Sequence, residues 1–206
     1  MTRTIYALAF GLYFGVIQTA YFFGLEILLT AAYTSFITAT LAWISGVIAG
    51  LFLPDGRGDG GRMTNLTVAK PLIARPLMAW PLVAWHIAGL LAYYGAMVLL
   101  SSFPYDFSLL PAYWILIMIS GAQAGHFFRI NQPYFPTAAQ LFLMENNGFI
   151  IGWISGFGGF VALGVKSLLI TPAALGLTLI PMILLHARYA TGQVAEPEET
   201  DSTYAS

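Results

Sequence analysis

Apolar residues along this chain gather into blocks long enough to cross a bilayer, with charges nearly confined to the gaps between them. A membrane-spanning helix needs about 20 predominantly apolar residues. The blocks run from Ile5 to Gly24, Tyr33 to Leu53, Trp80 to Leu100, Leu110 to Ile130, Glu145 to Gly164 and Leu168 to His186. Runs such as Trp114 to Ile119 do not alternate in polarity, which excludes membrane strands. The pattern predicts an all-α, polytopic membrane bundle of six transmembrane helices over residues 1–190. Between the second and third blocks, Pro54 to Arg62 reads as a flexible turn, and Leu66 to Met78, broken by Pro71 and Pro76, as an interfacial piece. Residues 191–206, with Glu196, Glu198, Glu199 and Asp201, read as a disordered acidic cytoplasmic tail.

Composition narrows the class further. The chain is 58% hydrophobic and 8% charged, against about 25% charged in ordinary soluble domains. A net charge of -1 supplies no electrostatic reason to expect nucleic acid. The chain contains no cysteine, so disulfides, thiol nucleophiles and thiolate metal sites are excluded. Arg3, Arg57, Arg62, Lys70, Arg75, Arg129 and Arg188 fall on one side of a six-span topology and Lys166 on the other, which predicts cytoplasmic N- and C-termini in a multi-pass cell-membrane protein. The first block follows Arg3 like a secretory signal, but it is long and lacks a small-x-small cleavage site, so it is read as a retained span.

Glycines recur four residues apart: Gly11 and Gly15, Gly46 and Gly50, Gly121 and Gly125, and Gly148, Gly152 and Gly156. Each series forms a flat stripe on one helix face, suited to close helix packing. A gapless shift that lays Gly11 on Gly121 and Gly15 on Gly125 also lays Trp43-Ile44-Ser45-Gly46 on Trp153-Ile154-Ser155-Gly156, which suggests two inverted three-helix repeats.

These features together resemble a known family. A first span ending near Glu26, a second ending at Gly50, a fourth carrying Gly121 and Gly125 before Phe127, and Glu145-Asn146-Asn147-Gly148 opening a glycine-rich fifth span are similar to the membrane domain fused to some bacterial spermidine synthases. That domain is itself similar to half of a major facilitator transporter. In the family an aspartate followed by glycine usually opens the fifth span, where Glu145 and Gly148 stand here, and no aminopropyltransferase domain follows Arg188. The resemblance implies the membrane part alone, with the first and fourth spans lining a cavity and Glu26 matching an acidic motif residue.

Polar groups within the spans are the candidates for function, because each is costly in hydrocarbon unless paired or hydrated. Glu145 and Arg129 lie across a short loop and can form an interfacial pair or a gate. Asn146 and Asn147 point about 100° apart on a helix, so at least one should line a cavity or bond across helices. Gln18 and Gln123 lie deeper, as interhelical bonds or solute contacts. His86, His126 and His186 sit at similar depth, but no His-Glu-x-x-His or other paired spacing accompanies them, so neither cofactor nor metal is expected. Gly152-Trp153-Ile154-Ser155-Gly156 misses the Gly-x-Ser-Gly of intramembrane serine proteases by one residue, and an enzyme is not expected. The leading expectation is a transporter-like half-facilitator for a small, first of all cationic, solute, working as a homo-oligomer or with a partner membrane subunit. The alternative is a non-catalytic anchor or accessory subunit of a larger membrane complex.

Overall fold

The computed structural model describes residues 3–29, 32–53 and 79–192. The elements are α1 (Arg3–Leu29), α2 (Ala32–Phe52), α3 (Ala79–Ser102), α4 (Leu110–Asn131), α5 (Ala138–Leu163) and α6 (Val165–Gly192), with short 3₁₀ turns at Phe107–Leu109 and Gln132–Tyr134. No strand occurs among the described residues. The turn around Gly58, the segment Leu66 to Met78, the acidic tail and the basic groups Arg57, Arg62, Lys70 and Arg75 lie outside them, as does the side chain of Arg188.

Among the described residues, five helices are long and apolar enough to cross a membrane, namely α1, α2, α3, α4 and α6. The fifth, α5, has the length, but Glu145, Asn146 and Asn147 dilute its apolar content. Its start differs from the sequence expectation: α5 begins at Ala138, well before Glu145. Thr137 takes extended backbone angles and its hydroxyl accepts from Gln140 N–H at 3.1 Å, satisfying one of the open donors of the first turn. Glu145 therefore stands about two turns inside the helix rather than at its mouth. At its other end α5 stops at Gly164, whose φ of 62° and ψ of −145° suit only glycine, and α6 starts at the next residue.

Neighbouring contacts order the bundle. Arg3 Nη1 donates to the Tyr134 carbonyl at 2.7 Å, so the start of α1 lies beside the α4–α5 connection. At the opposite end Tyr105 N–H donates to the Leu28 carbonyl at 2.7 Å. Odd-numbered helices run one way and even-numbered ones the other, which brings the start of α1 and the end of α6 to the Arg3 end of the bundle. α1 is the central helix, with Tyr6, Phe10, Tyr13, Phe14, Ile17 and Tyr21 all buried.

The closest packing joins α1 to α5 and α2 to α4, each a parallel pair. A Cβ added to Gly11 or Gly15 would collide with the backbone carbonyl of Glu145 or Phe149, and one added to Gly148 or Gly152 with that of Leu8 or Leu12. On the other pair, Gly121 and Gly125 abut the carbonyls of Trp43 and Val47, while Gly46 and Gly50 abut those of Met118 and Ala122. Such approach admits weak Cα–H···O contacts and dense dispersion, which is what associates helices when lipid removes the hydrophobic drive. Gly156 is looser, meeting only the Thr19 side chain, at 3.1 Å.

The two crossings match position by position. Gly148 and Gly152 stand to Leu8 and Leu12 as Gly46 and Gly50 stand to Met118 and Ala122. Gly46 thus corresponds in packing to Gly148, about two helical turns from the Gly156 that a gapless shift assigns to it.

α6 carries Pro172 and Pro181 in its interior. Proline has no N–H, so Pro172 deprives the Leu168 carbonyl of its helical donor. The Tyr93 hydroxyl replaces it, donating to that carbonyl at 2.5 Å.

Candidate functional site

A cavity of about 630 Å³ opens between the two close-packed pairs. α1 contributes Gln18, α2 contributes Trp43 and Ile48 among others, α4 contributes Ala124 and Phe128, and α5 contributes Phe142, Glu145, Asn146 and Phe149. The volume falls within the range of small-molecule sites, roughly 300–1,000 Å³. Its walls are aromatic and aliphatic, with three polar side chains converging on them: Gln18, Glu145 and Asn146. Glu145 is half-buried and, among the described residues, forms no ion pair or hydrogen bond. Three of the residues singled out in the sequence thus share one wall system. Parallel α1 and α5 bring them together, because Gly11 is level with Glu145 and Gln18 follows about two turns further along α1.

The remaining candidates are placed elsewhere. Asn147 turns outward, exposed. Glu26 is half-buried in the last turn of α1, at the far end of the bundle from Glu145. Arg129 Nη1 donates to the Leu53 carbonyl and, at 3.4 Å, to that of Leu51, binding the C-terminal end of α2. A cation there satisfies open carbonyls and complements the helix dipole.

Gln123 is fully buried and does not reach the cavity. Its Nε2 lies 2.5 Å from His86 Nδ1, and His86 Nε2 lies 2.8 Å from the Gly176 carbonyl. A carbonyl only accepts, so Nε2 carries the proton; Nδ1 is then free to accept from the amide, and both ring nitrogens are engaged with a neutral imidazole. Tyr13 packs its ring 4.8 Å from that imidazole. A second polar contact, Tyr21 hydroxyl to Ser120 hydroxyl at 2.8 Å, ties α1 to α4, and Ser120 reaches on to the Gly89 carbonyl of α3 at 2.9 Å. Neither cluster was apparent from the sequence, although His86 and Gln123 lie at equal depth on adjacent blocks, about two turns from the same end.

The other histidines are engaged separately. His186 stacks on the Tyr6 ring at 4.2 Å, and His126 lies 5.8 Å from the Trp85 ring. Among the described residues no group of three or more His, Asp or Glu side chains is placed to hold a metal ion.

No protein-family model, curated protein or solved structure matches this chain. Its function is therefore argued from the cavity itself.

Proposed function

We propose that this protein is a half-facilitator module that moves a small solute, a cation in the first instance, through the cavity between the α1–α5 and α2–α4 pairs. The observation that carries this reading is the convergence of Gln18, Glu145 and Asn146 on one apolar cavity. Polar side chains at membrane depth are costly, and a solute path is one of the few roles that repays them. The equal packing of the two glycine crossings supports an inverted repeat, the arrangement on which alternating-access carriers are built. The resemblance to the membrane domain of some spermidine synthases points the same way.

The cavity is open on the α2–α5 side, where Ile44, Ile48 and Phe142 are exposed. A second copy, or a partner half, facing that side would complete a closed path, so a homodimer is part of the proposal. The termini are assigned to the cytoplasm on the basic-residue bias. No catalytic role is assigned.

Purified protein in liposomes should accumulate radiolabelled choline or tetraethylammonium faster than empty liposomes do, and Ile48→Trp, which narrows the cavity, should reduce the difference. If wild-type liposomes match empty ones for cations, sugars and amino acids alike, the transport reading fails. Co-purification with a larger membrane complex would then favour the accessory-subunit role, for which the broad apolar exteriors of α5 and α6 are suited.

A further inference from the structure

The composition of the cavity wall narrows the ligand class. Among the described residues, Glu145 is the one charged residue lining it, and its neighbours there include Trp43, Phe128, Phe142 and Phe149. An anion would meet a carboxylate in a poorly solvated site with nothing to offset the repulsion. A sugar would leave most hydroxyls against apolar walls, because only Gln18 and Asn146 join Glu145 as polar partners. A bare divalent ion requires about six or more oxygen ligands, and two amides and a carboxylate do not supply them. A single positive charge carried on an apolar body satisfies each part of the wall: the carboxylate takes the charge, and the aromatic faces attract the cation and cover its body.

We propose that the cavity binds a monovalent amphipathic cation, such as a quaternary ammonium or phosphonium ion with aromatic or alkyl substituents, its charge against Glu145 and its body against Trp43, Phe128 and Phe149. This deepens the transport reading and rests on the same cavity. One monocation neutralises the one carboxylate, so the loaded cavity carries no net side-chain charge. The two amides act as orienting contacts at either end of the wall.

The test uses the full chain in lipid nanodiscs, with empty nanodiscs subtracted, and equilibrium dialysis of two nearly isosteric probes, tetraphenylphosphonium and tetraphenylborate. Wild type should bind the cation and not the anion. Glu145→Gln, which keeps the shape and removes the charge, should weaken cation binding by roughly tenfold or more, and Trp43→Leu by several-fold. Asn147→Ala, outside the cavity, should bind like wild type, and Ile48→Trp, which narrows the cavity, should weaken binding. Equal binding of the two probes, or a Glu145→Gln affinity equal to wild type, overturns the cation assignment. If Ile48→Trp and Trp43→Leu still alter binding in that case, the cavity remains a site and only its ligand class was wrong. Binding unchanged in Ile48→Trp, Trp43→Leu and Glu145→Gln alike overturns the cavity itself, and the transport reading falls with it. Should Glu145→Gln fail to fold, the cation-against-anion comparison on wild type decides.

Discussion

Gln123 Nε2 stands 2.5 Å from His86 Nδ1, a buried bond between α4 and α3 that uses the acceptor left open when His86 Nε2 donates to the Gly176 carbonyl. Removing either partner leaves a buried polar atom of the other unpaired. Gln123→Leu and His86→Leu should each lower the thermal stability of the purified protein, by about 1–3 kcal/mol. The double substitution should cost clearly less than the sum, and an additive result would show that the two side chains do not communicate.

Gly152 and Gly158 lie on one helix with opposite surroundings. A side chain at Gly152 would drive into the Leu12 backbone, whereas nothing lies within 4 Å of one at Gly158. Gly152→Leu should therefore abolish the folded, monodisperse fraction on detergent extraction, while Gly158→Leu should extract like wild type. Gly164 offers open space too, but its positive φ makes Gly164→Leu strained by about 1–3 kcal/mol despite the room.

Tyr93→Phe tests the repair of the α6 proline. It removes only the hydroxyl that serves the Leu168 carbonyl, and should destabilise by about 1–3 kcal/mol. Pro172→Ala restores a backbone donor at that position, so the hydroxyl loss should cost less in the Pro172→Ala background. Equal cost in both backgrounds would assign the effect to ring packing.

Arg129 and Glu145 serve separate places, one closing α2 and the other facing the cavity. Arg129→Gln should reduce thermal stability by about 1 kcal/mol through the loss of charge-assisted bonds to α2 carbonyls. Glu145→Gln should leave stability nearly intact, and the double variant should be additive. Strong coupling in the cycle would mean that the two form a pair after all.

Topology supplies a last check. Reporters fused after Ser206 and inserted near Gly58 should both read cytoplasmic, given the bias of basic residues to that side. Reporters on opposite sides would contradict an even number of crossings between them, and two external reporters would invert the orientation.

The helices could be read from the chain because a bilayer demands uninterrupted apolar length, and length is a local property. The α5 start lies before the apolar block that begins at Glu145, because Glu145, Asn146 and Asn147 interrupt the apolar run, although Thr137 and Gln140 together form a capping signature. Four-residue glycine spacing announced close contact but not its partners, since the rotation of each helix depends on all the others. For the same reason Gln18, Glu145 and Asn146 were legible as candidates one by one, while their shared cavity was not. Gln123 takes the first of the two roles its depth allowed, an interhelical bond, and its partner His86 was not legible in the sequence.

The glycine crossings divide the bundle in a way that ignores chain order. α1 holds α5 and lies against α6, while α4 holds α2 and lies against α3, so the molecule consists of two three-helix bodies. The cavity straddles the seam, with Glu145 on one triplet and Trp43 on the other. Its opposing walls therefore belong to interleaved triplets of helices, not to the first and second halves of the sequence.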